Sequence, residues 1–231
     1  MKGTGMSRFE AVIFDFDGVI VDSETISLDE LQRSMAMFGI EKSWNELVEG
    51  FLGHSNASTR AYIEKTAGRD AGDEFPNLWN ERILARFTTD LALMPGTLSL
   101  FDHLEAEGIR YCIATGSSEG RLQHALDVVG IGHRFEDRLY STDRVANGKP
   151  APDIFLHALE ALGADPARTA VIEDGIAGTI GARAAGIEAV FGFVGGTHLR
   201  ECVDWQAGKL SEAGALQVTK DLSDFEAILR A

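Results

Sequence analysis

Phe9-Glu10-Ala11-Val12-Ile13-Phe14-Asp15-Phe16-Asp17-Gly18-Val19-Ile20-Val21-Asp22 is an apolar run that ends in carboxylates. Ala11 to Phe14 reads as a strand covered on both faces, as parallel strands are, and Gly18 supplies a turn just beyond it. Open α/β sheets bind their ligands in the crevice outside the carboxyl ends of such strands. Asp15 and Asp17 stand two apart, so in extended chain their side chains share a face, and with a bend at Asp17 both still face one crevice. Two acids so placed repel each other unless a cation or a proton intervenes. The plainer alternative is a polar turn after a strand, since Asp and Gly are common turn formers.

Working outward, the character changes after Asp22 from strand to helix. Leu28, Leu31, Met35 and Phe38 fall at spacings of three and four, giving one apolar helical face that Gly39 ends. Further helical stretches are expected over Trp44 to Val48, Ala57 to Thr66 and Leu78 to Phe87, with Gly50 to Asn56 as a glycine-bounded loop. No strand is expected between Thr25 and Thr89. Beyond Pro95-Gly96 the pattern alternates. The expected strands are Tyr111 to Thr115, a short one within Phe135 to Ser141, Ala170 to Ile172, Glu188 to Phe193 and one around Val218. Between them fall helices over Thr97 to Glu107, around Leu122, Leu126 and Val129, and over Ile154 to Leu162, Ile176 to Ala185 and Leu222 to Leu229. Such alternation implies a parallel sheet with right-handed crossovers. The expected fold is therefore α/β, a Rossmann-like parallel-sheet core with helices on both faces. Residues 1–23 and 92–231 form this core, and an all-helical unit, residues 24–91, is inserted after the first strand.

The chain of 231 residues is long enough to bury a sizeable core, and 45% hydrophobic with 25% charged residues is ordinary for a globular protein. A net charge of −15 argues against nucleic acid or an anionic membrane as partner, because both need a basic surface. An anionic small molecule would need a local basic or metal site. Two cysteines, Cys112 and Cys202, allow at most one disulfide, and Cys112 lies in an apolar run, so a reducing, cytoplasmic setting is expected. No apolar segment of signal-peptide length precedes Phe9, and none approaches the roughly 18–20 residues of a membrane span. Met1 to Ser7 reads as a loose leader with Met6 as an alternative start. Monomer and dimer both remain open.

Three later places fall at strand ends. Thr115 in Thr115-Gly116-Ser117-Ser118 precedes a helix start, where hydroxyl and backbone N–H groups can hold an anion. An ordinary N-cap is the alternative there. Lys149 lies in the stiff loop Gly148-Lys149-Pro150-Ala151-Pro152, which fixes where its ammonium points. Glu173-Asp174-Gly175 repeats the opening logic of apolar strand, acids and glycine. Four carboxylates against one lysine call for a hard cation, and a few carboxylates with retained waters suit Mg²⁺. Further candidates are His54, Asn56 and Arg60 near the loop of the helical unit, and His198 in Gly195-Gly196-Thr197-His198, which reads more simply as part of a helix-capping loop.

Taken in order, Asp15-x-Asp17, Thr115, Lys149 and Glu173-Asp174 resemble the four motifs of the haloacid dehalogenase-like (HAD) hydrolase superfamily. The likeness spans nearly the whole chain, and the helical insertion is similar to the C1-type cap of the β-phosphoglucomutase-like and sugar phosphatase branch. The resemblance implies that Asp15 attacks phosphorus and forms an aspartyl-phosphate. It implies that Asp17 protonates the leaving oxygen and then deprotonates water, and that Thr115 and Lys149 hold the equatorial oxygens. It also implies Mg²⁺ on Asp15, Asp174 and the backbone carbonyl of Asp17, with Glu173 as a partner that reaches the ion through water or supports its ligands from behind. Substrate contacts are then expected from Gly116, Ser117, His54 and Asn56. The expected function is a phosphatase of a small phosphorylated metabolite. A phosphomutase is the alternative, and a module that merely stores phosphate on Asp, like the shorter receiver domains, is a more distant one. The mutases of the branch carry a His early in the first cap helix and an Arg in the cap loop, whereas this sequence has Ser27 and Asn56.

Overall fold

The computed structural model describes residues 8–52, 56–68, 70 and 74–230. Six parallel strands form one sheet in the order β3-β2-β1-β4-β5-β6. They are β1 (Ala11–Phe14), β2 (Arg110–Thr115), β3 (Leu139–Ser141), β4 (Thr169–Glu173), β5 (Ala189–Phe193) and β6 (Gln217–Thr219). β1 is central, with Phe14 in register with Ile113 of β2 on one side and Ile172 of β4 on the other. The ends of β1, β2 and β4 thus open side by side at the point where the strand order reverses.

Alternate side chains of β1 feed opposite layers, as period-two geometry requires. Val12 and Phe14 enter the larger apolar cluster, whereas Ala11 and Ile13 enter the smaller one. On Phe14's side the rings of Phe101, Tyr111 and Phe225 meet it edge-on. Phe101 comes from α5 (Thr97–Glu107) and Phe225 from α10 (Leu222–Leu229). On the other side α7 (Asp153–Leu162) and α8 (Ile176–Ala184) contribute Ile154, Phe155, Ala158 and Ala182.

Four helices follow β1 before α5. These are α1 (Glu24–Met37), α2 (Trp44–Phe51), α3 (Asn56–Ala67) and α4 (Glu74–Asp90). No strand occurs among the described residues of this insertion. The chain leaves and re-enters the core at one stem, where Asp22 N donates to Ala92 O (3.0 Å) and Met94 N donates to Ile20 O (2.8 Å). The apolar faces of α1, α2 and α4, including Leu31, Leu47 and Phe87, join the same cluster as Val19 to Val21.

The short strand expected within Phe135 to Ser141 is β3, Leu139–Ser141, while other expectations are corrected. Phe135 instead follows a 3-10 turn at Gly132–Arg134 and plugs the core against Phe101 and Tyr111, and Glu136 takes φ 47°. An apolar residue that serves as a plug carries the same sequence signal as one in a strand. Phe51 closes α2 rather than lying in a loop, and it packs edge-on against Tyr62. A further helix, α9 (Val203–Glu212), has no counterpart in the sequence reading. It buries only Gln206 and Leu210 and carries Gly208, so it has little apolar periodicity to read.

Candidate active site

Asp15 and Asp17 follow β1 directly, and a tight turn carries the chain away from them. Phe16 O accepts from Ile20 N (2.9 Å), Gly18 N donates to Val21 O (2.8 Å), and Gly18 has φ 77°. A Cβ on Gly18 would run into the Asp174 carboxylate, so glycine is needed there for space as well as conformation. Gly178, on the first turns of α8, is pressed in the same way against the Glu173 carboxylate. Glu173 ends β4 and its Oε2 accepts from Gly175 N (3.1 Å).

The two opening acids have different surroundings. Asp15 Oδ1 accepts from Lys149 Nζ (2.7 Å), and the same ammonium donates to Glu173 Oε1. Burial, and then the Glu173 charge, push Asp15 up to about 8 against the pull of Lys149. Asp174 is raised well above the ordinary carboxylate range, first by burial and then by Asp15 and Glu24. Lys149 is itself raised, because the Asp15 and Glu173 charges outweigh the burial that opposes its ammonium. Asp15, Glu173 and Asp174 offer oxygens that lie within 4.8 Å of one another. Asp174 Oδ2 is buried with no hydrogen-bond partner. A buried, unpaired carboxylate oxygen in an all-oxygen set is a place for a hard cation.

Asp17 turns away from that group. Its Oδ1 accepts from Ser23 Oγ (2.6 Å) and from the Arg121 guanidinium (3.0 Å), and its Oδ2 accepts from Ser117 Oγ (2.5 Å). Burial raises this carboxyl, but the Arg121 charge and the bonds from Ser117, Ser23 and Arg121 outweigh it, so Asp17 is held below its ordinary value. Two adjacent acids are thus driven apart, one toward the neutral form and one toward the charged form.

Thr115, at the end of β2, is buried, and its Oγ1 accepts from Ser117 N (3.0 Å). Gly116 is exposed, with nothing within 4 Å of where a Cβ would stand. The structure therefore brings Asp15, Asp17, Thr115, Gly116, Ser117, Lys149, Glu173 and Asp174 to one end of the sheet. His54 lies outside the described residues, and Asn56 opens α3. Arg60 is engaged on α3 with Glu64 (2.7 Å).

Ser23, Arg121 and Gln206, also at this end, were not singled out by the sequence reading. Ser23 sits one place beyond the opening stretch, and Arg121 has no signal except its place on the first turn of α6 (Glu119–Val129), just after Ser117. Gln206 of α9 donates to Asp174 O. His198, read mainly as part of a capping loop, is completely buried, with Nε2 3.7 Å from Asp174 Oδ2 and neither ring nitrogen hydrogen-bonded.

A family model described as haloacid dehalogenase-like hydrolase matches residues 9–186. The chain belongs to this family. Phosphorylated carbohydrates phosphatase of Thermotoga maritima is 29% identical over 213 residues, covering 91% of this chain and 94% of that one. 6-Phosphogluconate phosphatase of Escherichia coli is 27% identical over 199 residues, covering 86% and 88%. A solved structure, a conserved haloacid dehalogenase-like protein of unknown function from Agrobacterium tumefaciens, superposes with a TM-score of 0.83 at 32% identity, covering 96% and 98%. The chain sits among the sugar phosphatase and β-phosphoglucomutase-like members of the HAD hydrolases. It is a phosphatase of that family, acting on phosphoric monoesters. No described helix is long and apolar enough to cross a membrane.

Proposed function

We propose that this HAD hydrolase is a Mg²⁺-dependent phosphatase of a small phosphorylated metabolite of the sugar-phosphate kind, working through an aspartyl-phosphate on Asp15. The observation that carries this reading is the division of labour between the two acids. Asp15 shares the Lys149 ammonium with Glu173, beside the group fit for a cation, while Asp17 is held separately by Ser23, Ser117 and Arg121. The names of the similar phosphatases, one for phosphorylated carbohydrates and one for 6-phosphogluconate, point to the same substrate class.

In the first step Asp15 attacks phosphorus through a carboxylate oxygen, in the charged form that Lys149 and a bound cation would favour against the upward push of burial. The bond to the leaving oxygen breaks with its electron pair on that oxygen, which takes a proton from Asp17, a carboxyl that must first be protonated against the pull of Arg121. In the second step water attacks phosphorus, its proton passes to Asp17, and the broken acyl-phosphate bond returns its pair to the Asp15 carboxylate. Thr115 Oγ1, the N–H groups of Gly116 and Ser117, and Lys149 would hold the equatorial oxygens. Asp15, Asp174 and the Asp17 backbone carbonyl would hold Mg²⁺, with Glu173 close by. When bound, the ion neutralises the anionic charge that these acids and the phosphoryl group otherwise concentrate.

The helical unit, residues 24–91, would serve as a cap that sets substrate choice through the segment holding His54 and Asn56. Cys112 and Cys202 are both buried and free, which fits a reducing cytoplasm.

The test is a screen of phosphorylated metabolites with Mg²⁺, repeated with Asp15→Asn. The amide is isosteric but is not a competent nucleophile, so turnover is expected to vanish while the thermal transition stays in place. Near-normal initial rates in freshly prepared variant would remove Asp15 from its role. Chelation with EDTA is expected to abolish activity and Mg²⁺ to restore it, and full activity in metal-free buffer would count against the metal.

A further inference from the structure

Arg121 is the described residue that joins the catalytic end of the core to the helical insertion at the level of a proposed catalytic group. One nitrogen, Nη2, donates both to Asp17 Oδ1 (3.0 Å) and to Ser27 Oγ of α1 (2.9 Å). The guanidinium carbon stands 5.1 Å from the centroid of the Phe87 ring of α4. One turn further along α6, His124 Nε2 lies 3.0 Å from Leu84 O, again on α4. Arg121 and His124 are three residues apart and share a helix face, so that face of α6 is the seat on which α4 rests. Ser27 is tied in turn to the start of α1, its Oγ donating to Ser23 O (3.0 Å), and the Ser23 side chain is another donor to Asp17.

We infer that Arg121 is a positioning residue for Asp17, and that it makes the placement of that carboxylate depend on the helical insertion being seated. This rests on the proposed role of Asp17 as acid and base. The chemistry follows from how a guanidinium binds. Its planar, fixed donors aim an acceptor where a flexible ammonium would not, and its flat face is held by the Phe87 ring. Displacing α1 and α4 removes Ser27 and Phe87 together, leaving a long side chain with one partner in place of three. Asp17 then keeps Ser23 on Oδ1 and Ser117 on Oδ2, but the Arg121 donor that shares Oδ1 with Ser23 is no longer held in place. A shift of about an ångström in an acid or base is enough to cost about 10²-fold in rate.

The experiment separates the two half-reactions. p-Nitrophenolate leaves without a proton, so the first step with p-nitrophenyl phosphate does not need Asp17, whereas attack by water does. The leaving oxygen of a hexose 6-phosphate needs a proton, so both steps need it. Arg121→Met and Arg121→Lys are compared with wild type by rapid mixing in Mg²⁺. Both variants are expected to release one equivalent of p-nitrophenolate per site at the wild-type rate, then turn over about 10²-fold more slowly as phosphoenzyme accumulates. With the hexose 6-phosphate they should show no burst and a similar loss in kcat with little change in KM. Ser27→Ala should give a smaller loss of the same kind in wild type and none in the Arg121→Met background.

Arg121 variants with wild-type rates in both steps would overturn the inference. So would an equal loss in both half-reactions, which is what a merely structural role gives. Independent, multiplying effects of Ser27→Ala and Arg121→Met would overturn the dependence on the insertion. Wild-type protein that releases no p-nitrophenolate with Mg²⁺, or that releases it undiminished with Asp15→Asn, would instead refute the underlying aspartyl-phosphate reading.

Discussion

His198 shows how a single buried side chain takes its chemistry from its surroundings. Its ring is fully covered, wedged between Gly18 and Gly196, and a Cβ on Gly196 would run into it. Burial lowers it from 6.5 to about 4, so the native protein holds it neutral where the unfolded chain would protonate it. Between those two values the unfolded state binds the extra proton. The contribution of His198 is therefore whole above about pH 6.5 and is lost as pH falls through 4, a difference of at most about 3 kcal/mol. In EDTA, the urea midpoint of wild type should fall from pH 7 to 4.5 more steeply than that of His198→Gln, which keeps a neutral polar side chain. Parallel curves would show that the imidazole is not titrated by unfolding. The acids were legible in sequence because each ends an apolar strand and is followed by glycine. Arg121 was not, and His198 was read more simply as part of a capping loop, because what defines both is tertiary. Arg121 meets Asp17 and Ser27 across 104 and 94 residues of chain, and nothing local marks that meeting.

Elements with one strong local signal were read correctly, and those stabilised by a few distant contacts were not. α5 matches its expected span because Gly96 and Gly108 bound it, both with positive φ. α9 escaped notice because it is held by Leu210 in the core and Gln206 on the Asp174 carbonyl rather than by an apolar stripe. The helical insertion also has a hold on the core that no pattern announces. Trp44 of α2 donates its Nε1 hydrogen to His198 O (2.8 Å), with the Arg200 guanidinium over its ring, and Thr25 of α1 meets Thr197 (2.7 Å). The loop that carries His198 past Asp174 is thus the one on which α1 and α2 rest. Substrate choice is expected to lie in the connection from α2 to α3. Phe51 is buried against Tyr62, so an exchange of that connection should begin at Gly53 and spare the helix end. Replacing Gly53 to Ser55 with the matching residues of a phosphatase of different specificity should reorder the substrates used, while the thermal transition moves little. An unchanged substrate order would place specificity elsewhere.

At the scale of the whole molecule, insertion and core share one apolar cluster running from Phe14 through Val19 and Ile20 to Leu31 and Phe87. The insertion is therefore seated on the sheet end where the acids stand, and what it places over Asp17 decides the fate of a phosphoenzyme. A mutase must shield its aspartyl-phosphate from water while the sugar turns over, and needs a group that holds Asp17 back until then. Ser27, which the sequence reading sets where the branch's mutases carry a titratable His, has its hydroxyl committed to Ser23 O and Arg121. Asp17 meanwhile is held in place by Arg121 and its two serines, with no titratable group from the described insertion on its carboxylate to hold it back. Hydrolysis is the expected outcome. The protein is incubated with β-glucose 1-phosphate, Mg²⁺ and a trace of glucose 1,6-bisphosphate, and free phosphate and glucose 6-phosphate are followed together. Phosphate should appear without a matching rise in the isomer, whereas rapid isomer formation with little phosphate would make the chain a mutase despite Ser27.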